Sequence, residues 1–191
     1  MRALRPHVGI DGERLAEDAV GESRTRVYGG EADGAAAVAM ARALGERPPA
    51  ELARTTLLGA PPSYVAGEET AAVNFVNTGV AAPLAVPPRP FERGVDGRPT
   101  LVQNVESLAH AALIARFGDA WFQSLGRHHA TGTILLTVSG AVTKPGVIEV
   151  ASGCSVDEVL ALAGGVSGKA RAVLLGGDFG GWIIADHAGA R

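Results

Sequence analysis

The sequence predicts an α/β layer followed by a smaller α+β unit, and three observations carry that expectation. In the first half, short β-branched or aliphatic runs alternate with helical stretches, the order that builds a parallel layer. In the last third, two strand-like runs flank a Pro-Gly turn and a capped helix follows. The 26 glycines fall at the ends of apolar runs instead of clustering as in a linker, where tight turns and helix C-caps need them. The 191 residues suffice for one ordinary domain, or one medium and one small, and 47% hydrophobic content supplies a core.

Taken in order, "RVYGG" (26–30) reads as a short strand ending in a turn. "EADGAAAVAMARALGER" (31–47) reads as a helix that starts acidic and ends in Arg and Gly. "RTTLLGA" (54–60) has strand content, and "PPSYVAG" is a stiff loop because Pro61 and Pro62 fit neither a helix interior nor a central strand. "EETAAVNFVNTG" (68–79) is a short helix with Val73 and Val76 or Asn77 on one side, stopped by Gly79. Residues 80–100 are irregular and hold Pro83, Pro87, Pro88, Pro90 and Pro99; a loop of that length suggests a function or a cover over a site. Residues 104–126 form a helix with Val105, Leu108, Ala112, Leu113, Phe117 and Trp121 on a wide apolar face. The texture changes near 127–132. "TILLTVSG" (133–140) is a strand turning Ile134, Leu136 and Val138 inward, "TKPG" (143–146) suits a type II turn, and "VIEVASG" (147–153) returns as its partner. "SVDEVLALAGG" (155–165) is a helix with a capping box at Ser155 and Glu158 and a stripe of Val156, Val159, Leu160 and Ala163. "AVLLGG" (172–177) is a third strand.

Composition excludes several functions. A net charge of −3 without Lys/Arg clusters argues against nucleic acid or anionic lipid as partner. No apolar run reaches about 18 residues, so no membrane insertion is expected, and the acidic interruptions in "MRALRPHVGIDGERLAEDAV" rule out a signal peptide. The single Cys154 allows neither an internal disulfide nor a cysteine cage for zinc or iron–sulfur on this chain, and a reducing cytoplasm is the default location.

Two polar clusters are candidate sites. In "SYVAGEET", Glu68 and Glu69 open a helix after Gly67, with Tyr64 just upstream. One reading is that the acids complement the helix dipole. The other is a ligand pocket in which Gly67 lets backbone pass close to a neighbour, the first N–H groups take an anion or a ring edge, and the carboxylates take hydroxyl or N–H donors. In "LVQNVES", Gln103 and Asn104 sit at a strand-to-helix junction. Each amide offers donor and acceptor to a ring edge, and Asn104 equally suits an ordinary N-cap. His128 and His129 diverge in an extended loop and read as solvated linker. Cys154 reads as a small packed residue, His110 pairs one turn on with Glu106, and the glycines of "LLGGDFGGW" (174–182) read as turn chemistry.

In combination, "YVAGEET", a Pro-rich loop ending "GRPT", "LVQNVESLA", "VSGAVTKPGVIEV" and "VLALAGGV" resemble, from about residue 24 to about 180, the NADH-binding flavoprotein subunit of respiratory complex I. Flavoprotein subunits of soluble hydrogenases and formate dehydrogenases share the pattern. The resemblance implies a partial Rossmann-like FMN/NADH-binding domain over 1–128 and a β-grasp (ubiquitin-like) soluble-ligand-binding domain over 129–191. It implies FMN as cofactor, NADH as substrate, and a partner subunit carrying iron–sulfur clusters. By similarity Tyr64, Gly67, Glu68 and Glu69 border flavin and nicotinamide, and Val102, Gln103 and Asn104 contact the flavin on its other side; no protein nucleophile is needed. Val86 and Arg89 stand where the family has a lysine and an aromatic stacker for NADH, and Gln103 replaces a usual asparagine. The family's Gly-rich phosphate loop and four-cysteine bundle have no counterpart in these residues, so the expected flavin site is incomplete. The alternative expectation is a non-catalytic β-grasp module that binds a ligand or protein.

Overall fold

The computed structural model describes residues 6–21, 24–31, 34–127 and 129–184, apart from the side chain of Asp178. The first helix, α1 (Pro6–Val20), is an element that the sequence pattern does not announce. Pro6 sits in the first turn, where a missing N–H costs nothing. Gly9 and Gly12 weaken the helical signal, yet they are why the helix packs as it does. A Cβ on Gly12 would lie 1.9 Å from the carbonyl oxygen of Leu108, and one on Gly9 would lie 2.9 Å from the Val105 side chain. The glycines let two helices cross almost backbone to backbone.

Strand β1 (Thr25–Tyr28) leads through α2 (Ala35–Gly45) and the single turn α3 (Pro49–Leu52) to β2 (Thr55–Leu58). The strands pair in parallel, Thr25 with Thr55 through Tyr28 with Leu58, as the alternating pattern predicts. Helix α2 begins later than expected because the Gly34 N–H first closes a turn on the Glu31 carbonyl. Ile10, Ala43 and Leu44 form the buried cluster, with Met40 and Leu57 against it, so α1, α2 and β2 share one core. After a 3₁₀ turn at Tyr64–Gly67 comes α4 (Glu69–Thr78), ended by Gly79 at φ 81°. The Phe75 ring on α4 lies 5.5 Å from that of Tyr28 on β1.

The long helix expected over 104–126 is two. α5 (Val105–Phe117) stops at Gly118, whose φ of 85° breaks the run, and α6 (Asp119–Ser124) follows. Residues 5–112 and 113–191 contain two separate compact units, divided within α5. In the second, β3 (Gly126–Arg127) and β4 (Ala130–Thr131) make a small hairpin. β5 (Thr133–Val138) and β6 (Gly146–Ala151) make the expected antiparallel pair. Its inward face differs from expectation: Thr133 is buried, its hydroxyl bonded to Glu149 at 2.8 Å, and Ile134 is exposed. The connection is no tight type II turn. Residues 139–145 instead run beside the end of α7 (Val156–Leu162), with Thr143 N–H on the Gly165 carbonyl and Lys144 N–H on that of Ala163. The Ser155–Glu158 capping box opens α7 as the sequence predicts. β7 (Ala172–Leu175) pairs antiparallel with β8 (Gly181–Ile184), a strand that the glycine-rich pattern conceals.

Candidate functional site: a groove beyond the parallel strands

Because β1 and β2 run parallel, the segments that follow them emerge at the same edge. That edge is where open α/β sheets place their ligands. Tyr28 at the end of β1 with Gly29, Gly30 and Glu31 after it, and residues 60–64 with Ala66 and Gly67 after β2, line an open groove of about 470 Å³, within the usual range for small-molecule sites. A Cβ on Gly29, Gly30 or Gly67 would meet nothing within 4 Å. Gly67 therefore does not ease past a neighbour, as its position in sequence suggests; it keeps the groove wall low. The Tyr64 ring is 80% exposed, whereas the Tyr28 hydroxyl oxygen is buried without a hydrogen-bond partner among the described residues. Burial pushes the Tyr28 phenol above its ordinary value.

Glu68 and Glu69 follow the groove directly and have separate employments. Glu68 is the N-cap of α4: its Oε2 accepts from the Thr70 N–H and Ala71 N–H at 2.9 Å each, and from the Thr70 hydroxyl at 2.5 Å. Two of the first-turn N–H groups that a ligand would need, those of Thr70 and Ala71, are thus occupied. Desolvation pushes the Glu68 carboxyl upward, but these hydrogen bonds and the Arg89 charge outweigh it, and the net shift is downward. Glu69 pairs with Arg89 across the Pro-rich loop at 3.1 Å.

That loop is stitched along one polar edge of α4, which the apolar pattern did not reveal. Thr70 accepts from the Leu84 N–H, Asn74 donates to the Ala82 carbonyl, and Asn77 bridges the Gly94 carbonyl and the Asp96 N–H. Residues 70, 74 and 77 share a helix face. The loop is a covering element with its own hydrogen-bond register.

Val102, Gln103 and Asn104 lie just before α5 and are not among the residues lining the groove. Asn104 acts as a cap, its Oδ1 accepting from the Glu106 N–H at 2.7 Å; Gln103 is exposed and Val102 half-buried. Tyr28, Gly29, Gly30 and Glu31 line the groove, whereas sequence reasoning took them as a strand end, its turn and a helix start, although the end of a parallel strand was the signal. Among the described residues no set of three or more His, Cys, Asp or Glu is placed to hold a metal ion. His128 lies outside the described residues, and no helix among those described is long and apolar enough to cross a membrane.

Comparison with known proteins extends this picture. Residues 135–178 match the SLBB domain family. The NAD-reducing hydrogenase HoxS subunit alpha of Cupriavidus necator is 36% identical over 129 residues, which cover 68% of this chain and 21% of that protein. An NADH-quinone oxidoreductase subunit of Rickettsia felis is 40% identical over 119 residues, 60% of this chain and 28% of that protein. This chain is a partial homologue of those two proteins. A crystal structure of an NAD⁺-reducing NiFe-hydrogenase in the H₂-reduced state superposes with a TM-score of 0.75 at 30% identity, covering 96% of this chain and 33% of that one. The homologous region thus spans about a fifth to a third of the relatives' length.

Proposed function

We propose that the chain is an NADH dehydrogenase flavoprotein-subunit-like protein taking part in hydride transfer from NADH to FMN, with electrons passed onward to an iron–sulfur partner. One observation carries the reading: the groove opens at the ends of two parallel strands in a chain homologous to NAD-linked oxidoreductase subunits. In this proposal residues 1–128 form the partial Rossmann-like domain and 129–191 the β-grasp domain, in the cytoplasm.

The lining suits part of the cofactor. Two tyrosines, bare glycine backbone and about 470 Å³ fit a flat heterocycle, and the buried Tyr28 hydroxyl has a hydrogen bond to give. Among the described residues the lining holds no Lys or Arg for a phosphate dianion. The ring therefore fits and the phosphate does not, so segments or a partner beyond these residues complete the site. The redox chemistry belongs to FMN, which takes a hydride and releases electrons singly. The chain's residues bind and orient. Tyr64 offers an exposed aromatic face, Gly67 leaves room for close approach, and Glu69, released from Arg89, offers a carboxylate to hydroxyl or N–H donors. Val102, Gln103 and Asn104 are proposed to approach the ring from the other side, Asn104 through its amide nitrogen because its oxygen is engaged.

The test is titration of the chain with FMN followed by anaerobic NADH. Saturable quenching of flavin fluorescence, weakened by Tyr64→Ala, is expected, and then bleaching by NADH once the phosphate-binding segment is supplied. Absence of quenching at high micromolar FMN would overturn the reading. It would favour the second one, a non-catalytic binding module, which the 90% exposed Phe179 and 71% exposed Trp182 support.

A further inference from the structure

Helix α1 carries a carboxyl group that the groove does not use. Glu13 is only 7% exposed. Its Oε1 accepts from the Thr55 hydroxyl at 3.2 Å, while its Oε2 is buried with no partner among the described residues. Glu51 on α3 is in the same condition, with Oε1 taken by Arg14 and Oε2 buried and bare. Both residues line a void of about 50 Å³, room for one water molecule at about 30 Å³.

A buried carboxylate oxygen without a donor is costly, and such groups neutralise before they tolerate it. The surrounding charges do not supply the remedy. Among the described residues that line the void, Glu13, Glu17 and Asp18 from α1 and Glu51 from α3 outnumber the cations, Arg14 and Arg54. Arg14 is committed to Glu51, and the Thr25 hydroxyl of β1, which also lies close enough to Glu13 to lower its pKa, donates to Glu17 at 2.8 Å. Glu106 and His110 of α5, which crosses α1 at Gly12, are not among the residues lining the void. A metal ion is not the answer either, since the described acids are not placed to hold one. A proton on one of the two carboxyls supplies the missing donor.

We propose that Glu13 is a proton latch: when protonated, it donates from Oε2 across the void to Glu51, directly or through one water, and fastens α1 to α3 and the start of β2. Burial raises the Glu13 pKa most; the Thr25 and Thr55 hydroxyls pull it down, and the Glu17 and Glu51 charges push it up again, for a net rise. A carboxyl raised on folding stabilises fully below its unfolded value, and that contribution is lost as pH rises through the folded value. The latch therefore loosens on the alkaline side, opposite to an ordinary salt-bridged glutamate.

Two measurements on the 191-residue chain decide it. Side-chain carbon NMR of the wild type, assigned through bonds, is expected to show the Glu13 carboxyl titrating above the exposed glutamates. Hydrogen exchange should show α1 protection factors falling by up to about tenfold per pH unit across that titration. Glu13→Gln, whose amide donates at every pH, should remove the slope. Titration of Glu13 together with the exposed glutamates, or an unchanged slope in the variant, overturns the latch. If the variant does not fold, the wild-type NMR titration decides alone.

Discussion

Glu68 and Glu69 are neighbours in sequence, yet only Glu68 holds a helix end. Its carboxylate accepts two backbone N–H groups, so Glu68→Ala should cost about 1 kcal/mol, measured by denaturant unfolding. Glu69→Gln removes a half-exposed ion pair and should change stability by about 0–1 kcal/mol. The sign with pH follows from the lowered Glu68 pKa. Its contribution is present above the unfolded glutamate value and lost as pH falls through the folded one. Glu158 behaves alike in the other unit. The Ser155 N–H, then the Arg127 guanidinium, hold its carboxyl down at about 2. Acid should therefore weaken α7 between the ordinary glutamate range and that value, and Glu158→Gln should flatten this part of the profile, read by hydrogen exchange across α7. Which residues were polar and well placed was legible in the sequence. Their partners were not, because Glu69 meets Arg89 twenty positions on and Arg26 meets Asp96 seventy on. Chain folding alone brings such pairs together.

At the scale of elements, local signals were read where the chemistry is local. The Ser155 capping box, the Gly79 stop and the strand–helix–strand order are each settled within a few residues or by a simple crossover rule. Helix α1 was missed because its two interior glycines argue against a helix until the surface that they contact is known. Gly12→Ala separates the two influences by sign. Helix propensity alone would make alanine better by about 1 kcal/mol. The added Cβ would instead fall 1.9 Å from the Leu108 carbonyl oxygen, a backbone atom that no rotamer change removes. Overpacking of this kind costs about 1–3 kcal/mol or more. Net destabilisation by chemical unfolding is the expected result, and a gain in stability would show that the helix crossing is looser than this. Gly118 is the counterpart: its φ of 85° ends α5, so an apolar periodicity that continues past it to Trp121 describes two helices and not one.

At the scale of the whole chain, the two compact units carry separate cores. Among the described residues, Leu44 is the largest fully buried side chain within 5–112, and Val150 within 113–191. Folded domains are marginally stable in general, so a few kcal/mol of binding energy is a large fraction of the whole. Ligand linkage should then be visible and confined. A ligand that binds only the folded state at about 100 times its dissociation constant adds about 2.7 kcal/mol. If FMN occupies the groove beyond β1 and β2, saturating FMN should slow amide exchange in those strands by up to about a hundredfold. The β5–β6 hairpin has no lining residue in that groove and should exchange as before. Protection appearing in β5–β6 alone would relocate the ligand to the SLBB-matching region and leave the groove without a role in flavin binding. Tyr64→Ala should erase the effect in β1 and β2 while leaving the hairpin's exchange unchanged, because the 80% exposed ring contributes to ligand contact and little to the fold.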